Sequence, residues 1–441
     1  MRTRTLLAIL LLSCTAALAQ KPDTVIAVAA GHTVKLSDLA DDVQKIASEM
    51  PASLAKQRRE LFSDFLFHRV MSLEAASKGV SEKEFVDSEK RKAADPSEAE
   101  IRTVYEANRD RLGDKTYEEA HWMLLNFLRT GPESKAVNAA YDSLKQKYKV
   151  TLVKDIDAKG IAPGDTVASI SGKPLTLKEF DTYAAPRLYD LQAGAADEII
   201  ADAEGLLLDL LARDEAKIQQ LEPMDLWAKE VTDKMKDFSD DEQDRLTEAF
   251  KQKLFVKYNA TIVYKGPEPA AYPVSADHGP STGPANAPVT VIMFSDFQCP
   301  ACAATHPVLK KVLAEYPGKI RFVVRNFPLE TLHQNAYRAA LAAGAANLQG
   351  KFFEYTDILY RDQDKLDDAS LKRYAAALGL NAAKFDIDLK SAAVAAKVKK
   401  DMADGYDLDI TGTPTIYVNG IKVRRLTADA FRAAIDRVLK K

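Results

Sequence analysis

Cysteine is scarce in this chain, with three residues in 441. One of them, Cys14, lies in an N-terminal apolar stretch, so Cys299 and Cys302 are the only pair left. A single pair does not make a disulfide-stapled scaffold. A zinc centre is equally disfavoured, because two cysteines supply half a tetrahedral shell and no second CxxC or spaced histidine pair completes it. The formal charge is −3, with no basic stripe to follow a phosphate backbone, which argues against nucleic acid as a partner. After the N-terminus no apolar run approaches the roughly 18 residues a membrane helix needs. Hydrophobic residues make up 46% of the chain, enough for two to four domains with real cores.

The N-terminus reads as a secretory signal over residues 1–19: Arg2 and Arg4, an apolar core from Leu6 to Leu12, then Ala17-Leu18-Ala19 as the cleavage site. Removing it takes the charge to −5. Leu11-Leu12-Ser13-Cys14 also resembles a bacterial lipoprotein box, so lipid anchoring through Cys14 is the alternative to free export. Either way the expected location is the periplasm or cell envelope.

Two segments look like copies, 23–156 and 164–265. Each opens with a short strand, a glycine turn at Gly31 or Gly172, a second strand and a helix start. At an offset of 141 residues Leu36 matches Leu177, Leu66 matches Leu207, and Glu74-Ala75 matches Glu215-Ala216. The closing strings Lys147-Tyr148 and Lys257-Tyr258 match at an offset of 110, so the second copy is shorter by about thirty residues. Between these strands the apolar residues fall at helical spacing, as core stripes do. The strand-turn-helix opening, the helix end from Glu74 to Gly79 and the Pro96-Ser97-Glu98-Ala99-Glu100-Ile101 run with Tyr105-Glu106-Ala107-Asn108 resemble SurA-type periplasmic chaperones. The likeness is to their helical domain. No glycine-rich parvulin core follows His121-Trp122, so isomerase activity is not expected.

Residues 266–288 carry six prolines and read as a linker of limited flexibility. A buried strand follows over 289–298, then Cys299-Pro300-Ala301-Cys302, then a helix through Leu313 in which Pro307 predicts a kink. This junction suits dithiol chemistry. Cys299 meets a helix N-terminus, whose free N–H groups favour a thiolate, and Pro300 suits the first helical position. Cys302 comes one turn later, sheltered, while the sulfur of Cys299 is expected to be exposed. Far downstream, Thr413-Pro414 enters a strand that ends in the turn Asn419-Gly420, which makes Pro414 a candidate cis-proline.

Residues 289–441 thus predict an α/β thioredoxin fold, with a helical insertion over about 329–405, behind a mostly α-helical duplicated region. The motif Phe294-Ser295-Asp296-Phe297-Gln298-Cys299-Pro300-Ala301-Cys302, with Asn326-Phe327-Pro328-Leu329, His333, Gln349-Gly350-Lys351-Phe352-Phe353-Glu354 and Gly412-Thr413-Pro414-Thr415, resembles the DsbA-type disulfide oxidoreductases from about residue 275 onward. That resemblance implies a nucleophile at Cys299, a resolving thiol at Cys302 and a cis-proline at Pro414. It also implies client pairing along the backbone of Thr413. Pro300, Ala301, Asp296 and Met293 would tune the site. Met293 stands where such proteins usually bury a carboxylate, and strand alternation turns Asp296 away from Cys299.

The expected activity is dithiol–disulfide exchange on unfolded or cysteine-containing exported proteins, in the oxidase direction, with a membrane redox partner to renew the disulfide. No metal or cofactor beyond the Cys299–Cys302 disulfide is expected. The alternative is a periplasmic chaperone, or an isomerase or reductase, in which the thioredoxin domain is mainly a binding platform.

Overall fold

The computed structural model describes residues 21–440; the signal expected over 1–19 and Cys14 fall outside the described residues. In chain order the N-terminal half runs β1 (Val25–Ala29), β2 (His32–Lys35), α1 (Asp41–Ser77), α2 (Glu82–Lys90), α3 (Glu98–Ala107), α4 (Arg109–Leu112), α5 (Tyr117–Lys147), β3 (Thr151–Leu152), β4 (Thr166–Ile170), β5 (Lys173–Thr176), α6 (Leu177–Gln219), α7 (Pro223–Glu230), α8 (Asp240–Lys257) and β6 (Thr261–Ile262). This half is mostly helical. Its helices start where the caps dictate: Ser81, Ser97 and Thr116 each accept the N–H three residues on, and Glu84, Glu100 and Glu119 return the bond. Two compact units divide the described residues: 21–62 with 182–269, and 63–181 with 270–440.

In the first unit the hairpin β1–β2 turns at Gly31, whose φ of +90° only glycine adopts readily, and β6 adds to β1 to give the order β2-β1-β6. Ile26, Val34 and Leu36 pack there against Leu207, Leu211, Phe250 and Leu254. Buried Glu215 accepts from Lys257 and from the hydroxyl of Tyr258 (2.7 Å). The second unit contains the same plan: hairpin β4–β5 turns at Gly172, β3 adds to β4, and Glu74 accepts from Lys147 and from the hydroxyl of Tyr148 (2.9 Å). Each closing strand therefore joins the hairpin of the other segment, so the pairing crosses the boundary drawn between 23–156 and 164–265. Two-residue strands carry little local pairing preference, and distant packing decides their partners.

The C-terminal half of the second unit contains β7 (Ser281–Thr282), β8 (Val289–Ser295), α9 (Pro300–Ala314), β9 (Ile320–Asn326), α10 (Ala336–Asn347), α11 (Phe352–Arg361), α12 (Asp368–Ala377), α13 (Ala382–Asp388), α14 (Ala392–Asp407), β10 (Thr415–Val418), β11 (Ile421–Val423) and α15 (Ala428–Leu439). The sheet order is β11-β10-β8-β9-β7; β8 and β9 are parallel and the other pairs antiparallel. Alternate residues of the central strands face opposite sides. Val291, Met293, Phe322, Val324 and Ile416 join the core beneath α9–α15, while Ile292, Phe294, Val323 and Tyr417 meet Tyr272, Leu408 and Ile410.

The proline-rich stretch expected as a linker over 266–288 is in large part not one. From Ala270 it belongs to the second unit. Tyr272 is buried on the sheet and its N–H donates to the Gly420 carbonyl (2.9 Å), while β7 forms the sheet edge. The carbonyl of Ser275 accepts from Arg325 Nη1 (2.9 Å). Arg325 is itself 0% exposed and also bonds Asp401 and Asp404, clamping β9 to α14. Prolines suit such an edge because they need no ladder donor.

Candidate active site

Strand β8 ends at Ser295, and a short turn delivers Cys299 as the N-cap of α9, with Pro300 at the first helical position. Pro307 lies within α9, which continues to Ala314. The Cys299 N–H donates to the Asp296 carbonyl (3.2 Å), and the Cys299 carbonyl accepts from Cys302 and Ala303 (3.1 and 3.2 Å). Gln363, in the loop after α11, adds a clamp: its Nε2 donates to the carbonyls of Phe297 (3.0 Å) and Cys299 (2.9 Å).

Cys299 and Cys302 are free thiols in this structure. Cys302 is wholly buried and Cys299 is 7% exposed, so the expectation of an exposed first sulfur is corrected: packing of the Thr413 loop and α9 leaves it a narrow opening. Pro300 and Ala301 are the exposed members of the motif. The peptide between Thr413 and Pro414 is cis, and the Thr413 carbonyl accepts from the Cys299 thiol at 3.3 Å.

The two sulfurs are driven apart electrostatically. A hydrogen bond from Cys302 is the largest influence on Cys299. Burial opposes it, and the Thr413 side chain and the N–H groups of Cys302 and Ala301 add to it, bringing its pKa down to about 5. The Thr413 hydroxyl is buried and has no other partner, which leaves it available to a thiolate. Burial, then the bond to Cys299, pushes the Cys302 thiol up; the Ser295 hydroxyl and the Asp296 backbone N–H pull the other way. One sulfur is thus a thiolate at neutral pH and its neighbour a protonated reserve.

The candidate tuning residues occupy separate places. Met293 is buried in the core with both cysteines. Asp296 is 1% exposed, but its carboxylate faces away from the sulfurs: Oδ1 accepts from the Gln298 N–H (2.7 Å), and Oδ2 from the Leu329 N–H (2.9 Å) and lies 2.7 Å from His333 Nδ1. Reading the sequence alone missed the hydroxyl pair under Cys302, Ser295 Oγ and Tyr360 OH at 2.6 Å. It also missed His306, whose ring lies 4.6 Å from that of Tyr360 and whose Nε2 is 2.8 Å from Asp357. Ser295 and His333 lie in the quoted motifs without a role; for Tyr360, on α11, no local signal exists.

Residues 275–437 match the family model described as Thioredoxin, which is 37% of the chain. Curated relatives include a Na(+)/H(+) antiporter NhaA 1 of Mycolicibacterium vanbaalenii, 37% identical over 162 residues (35% of this chain, 26% of the relative), and an NhaA 3 of Salinispora tropica, 41% identical over 149 residues (34% and 22%). The chain thus spans about a quarter of the length of these relatives. Similar solved structures include a thioredoxin-like oxidoreductase from Silicibacter pomeroyi (28% identity, TM-score 0.35, covering 37% of this chain and 93% of that one). Another is oxidised BdbD from Bacillus subtilis (24% identity, TM-score 0.36, covering 40% and 100%). The five-stranded sheet, the cis-proline facing the thiols and the family match define the C-terminal region as a thioredoxin-fold domain carrying a dithiol site. The region before it is mostly helical.

Proposed function

We propose that this protein is an exported thiol–disulfide oxidoreductase that works on cysteine-containing client proteins in the oxidase direction. The observation that supports this most is the split pair, Cys299 with its pKa lowered to about 5 beside a Cys302 whose thiol burial pushes up. In the oxidised state a client thiolate attacks the Cys299 sulfur, and Cys302 departs and takes a proton. A second client thiolate then attacks the client's sulfur in the mixed disulfide, and Cys299 leaves as a thiolate. Two electrons pass to the protein. A leaving thiolate with so low a pKa is a good leaving group, and its stabilisation favours the reduced protein, which makes the disulfide oxidising. A membrane redox partner would return the pair to the disulfide.

The helical N-terminal region, in this reading, is a duplicated SurA-like module that holds clients. Its support is the matched pair of hairpin sheets, with the Glu74–Lys147–Tyr148 and Glu215–Lys257–Tyr258 clusters at equivalent positions. The same feature favours a second reading, a periplasmic chaperone whose thioredoxin domain is a platform. Suppression of client aggregation that survives Cys299→Ser would favour the platform. For exchange, the test is Cys302→Ala: clients should accumulate as mixed disulfides on Cys299. An empty trap, with no dithiol oxidation by the wild type, sinks the proposal.

A further inference from the structure

An open cleft of about 500 Å³ lies within the second unit, beside the loop that precedes Thr413. One wall comes from the helical region, with Phe67 on α1 and Val86 on α2; the other comes from the thioredoxin domain, with Phe327, Tyr406 and Ile410. The cleft reaches Thr411, two residues from Thr413, or about 7 Å of extended chain. The walls are held to one another. The Trp122 indole N–H on α5 donates to the Glu330 carbonyl (2.9 Å), and Lys83 Nζ lies 5.1 Å from the centre of the Tyr406 ring. Phe327 and Tyr406 stack at 5.1 Å, so the floor is aromatic.

The polar lining is predominantly acidic. Glu82, Asp407 and Asp409 converge around His68, with Glu82 Oε1 2.6 Å and Asp409 Oδ1 3.9 Å from its ring nitrogens. Lys83 and Lys90 are the lysines of the lining, and Lys83 is tied to Asp87. Burial and the charges of Glu82 and Asp404 push the Asp407 carboxyl up, against the opposing pull of His68 and Lys400. An added cation relieves such crowding and an added anion worsens it. A volume of this size suits a large side chain and its neighbour.

We propose that this cleft seats the client segment next to the cysteine under exchange, selecting an aromatic or large aliphatic residue followed by lysine or arginine about two residues from that cysteine. The inference deepens the exchange reading and rests on it. A client strand that pairs with the Thr413 backbone runs alongside residues 411–413 and so enters the cleft directly. The helical region then acts in client choice by contributing one wall, and the thioredoxin domain alone presents only half of the site.

The test uses the oxidised full-length protein and two dithiol peptides that differ only in Phe-Lys or Phe-Glu placed two residues from the first cysteine. Second-order oxidation rates are read by alkylation quench, with dithiothreitol as a substrate too small to reach the cleft. The Phe-Lys peptide should react about tenfold faster than Phe-Glu. Val86→Arg, on a partly exposed helix face, should bring the ratio to about one, and Asp409→Asn should lower it about twofold, with dithiothreitol rates unchanged in both variants. Equal rates for the two peptides with the wild type, or a ratio that survives both substitutions, would overturn the assignment. If dithiothreitol is not oxidised either, the exchange reading itself falls, and this inference with it.

Discussion

Replacing Thr413 with valine removes one hydroxyl from the site and keeps the carbonyl that faces Cys299. That hydroxyl is buried, unpartnered elsewhere, and one of the groups that lower the Cys299 pKa to about 5. A hydrogen bond to a charged group contributes roughly 1.5–3 kcal/mol, and the lower end corresponds to a tenfold change, so the variant should titrate near pH 6. The thiolate exists only in the reduced protein. Because its pKa is depressed, stabilisation of the reduced form is complete above the ordinary thiol range, falls by about 1.4 kcal/mol per pH unit on descending through it, and vanishes below pH 5. At pH 7 it amounts to about 2.7 kcal/mol for the wild type and about 1.4 kcal/mol for the variant. Thr413→Val should therefore make the disulfide less oxidising by about 30 mV at pH 7, with no difference below pH 5. Ultraviolet absorbance of the thiolate against pH gives the midpoint, and equilibration with glutathione gives the potential. An unchanged midpoint in the variant, or a wild-type midpoint near the free-cysteine value of about 8.5, refutes the reasoning.

Ser295→Ala deletes the hydroxyl beneath Cys302 and leaves Tyr360 without its 2.6 Å partner. Thermal unfolding should show a loss of about 1–3 kcal/mol, and single-turnover formation of the mixed disulfide from the oxidised protein, the step in which Cys302 leaves, should slow about tenfold; a variant with wild-type formation would remove Ser295 from the chemistry. Arg325→Met takes the cation from the buried Asp401 carboxylate, leaving it the two Asn326 donors, and should cost about 3–5 kcal/mol in urea unfolding, whereas a loss under 1 kcal/mol would show the clamp to be dispensable. Glu215 titrates at about 2, because hydrogen bonds from Lys257, Tyr258 and Gln219 outweigh its burial. Its stabilisation is complete above the ordinary carboxylate range and is lost as pH falls toward 2, so Glu215→Gln should flatten the acid limb of the stability curve between about pH 4.5 and 2. An acid limb as steep as that of the wild type would contradict this.

The local elements were legible because their causes lie within a few residues. Capping boxes at Ser81, Ser97 and Thr116 start three helices, Gly31 and Gly172 turn two hairpins, and the nearly continuous apolar run over 289–295 makes a strand buried on both faces. The thiol pair at a helix N-terminus is also a local statement, since Cys299, Pro300 and Cys302 occupy one turn. Proline content misled over 266–288, because composition reports stiffness and not the sheet edge to which a stiff segment docks.

What only the tertiary structure decided depends on residues far apart in the chain. Tyr360 meets Ser295 across 65 positions, Arg325 meets Asp401 across 76, and the Thr413 carbonyl meets Cys299 across 114. The cross-paired strands β3 and β6, and the cleft that joins Phe67 to Tyr406, belong to the same class. The sequence by itself determined that two thiols sit at the start of a helix beside a buried strand. The bond from Cys302 and the N–H groups of the first helical turn act on Cys299 locally, but packing decided how far apart in acidity the thiols stand, since the burial that raises Cys302 and the Thr413 side chain that helps lower Cys299 come from distant parts of the chain.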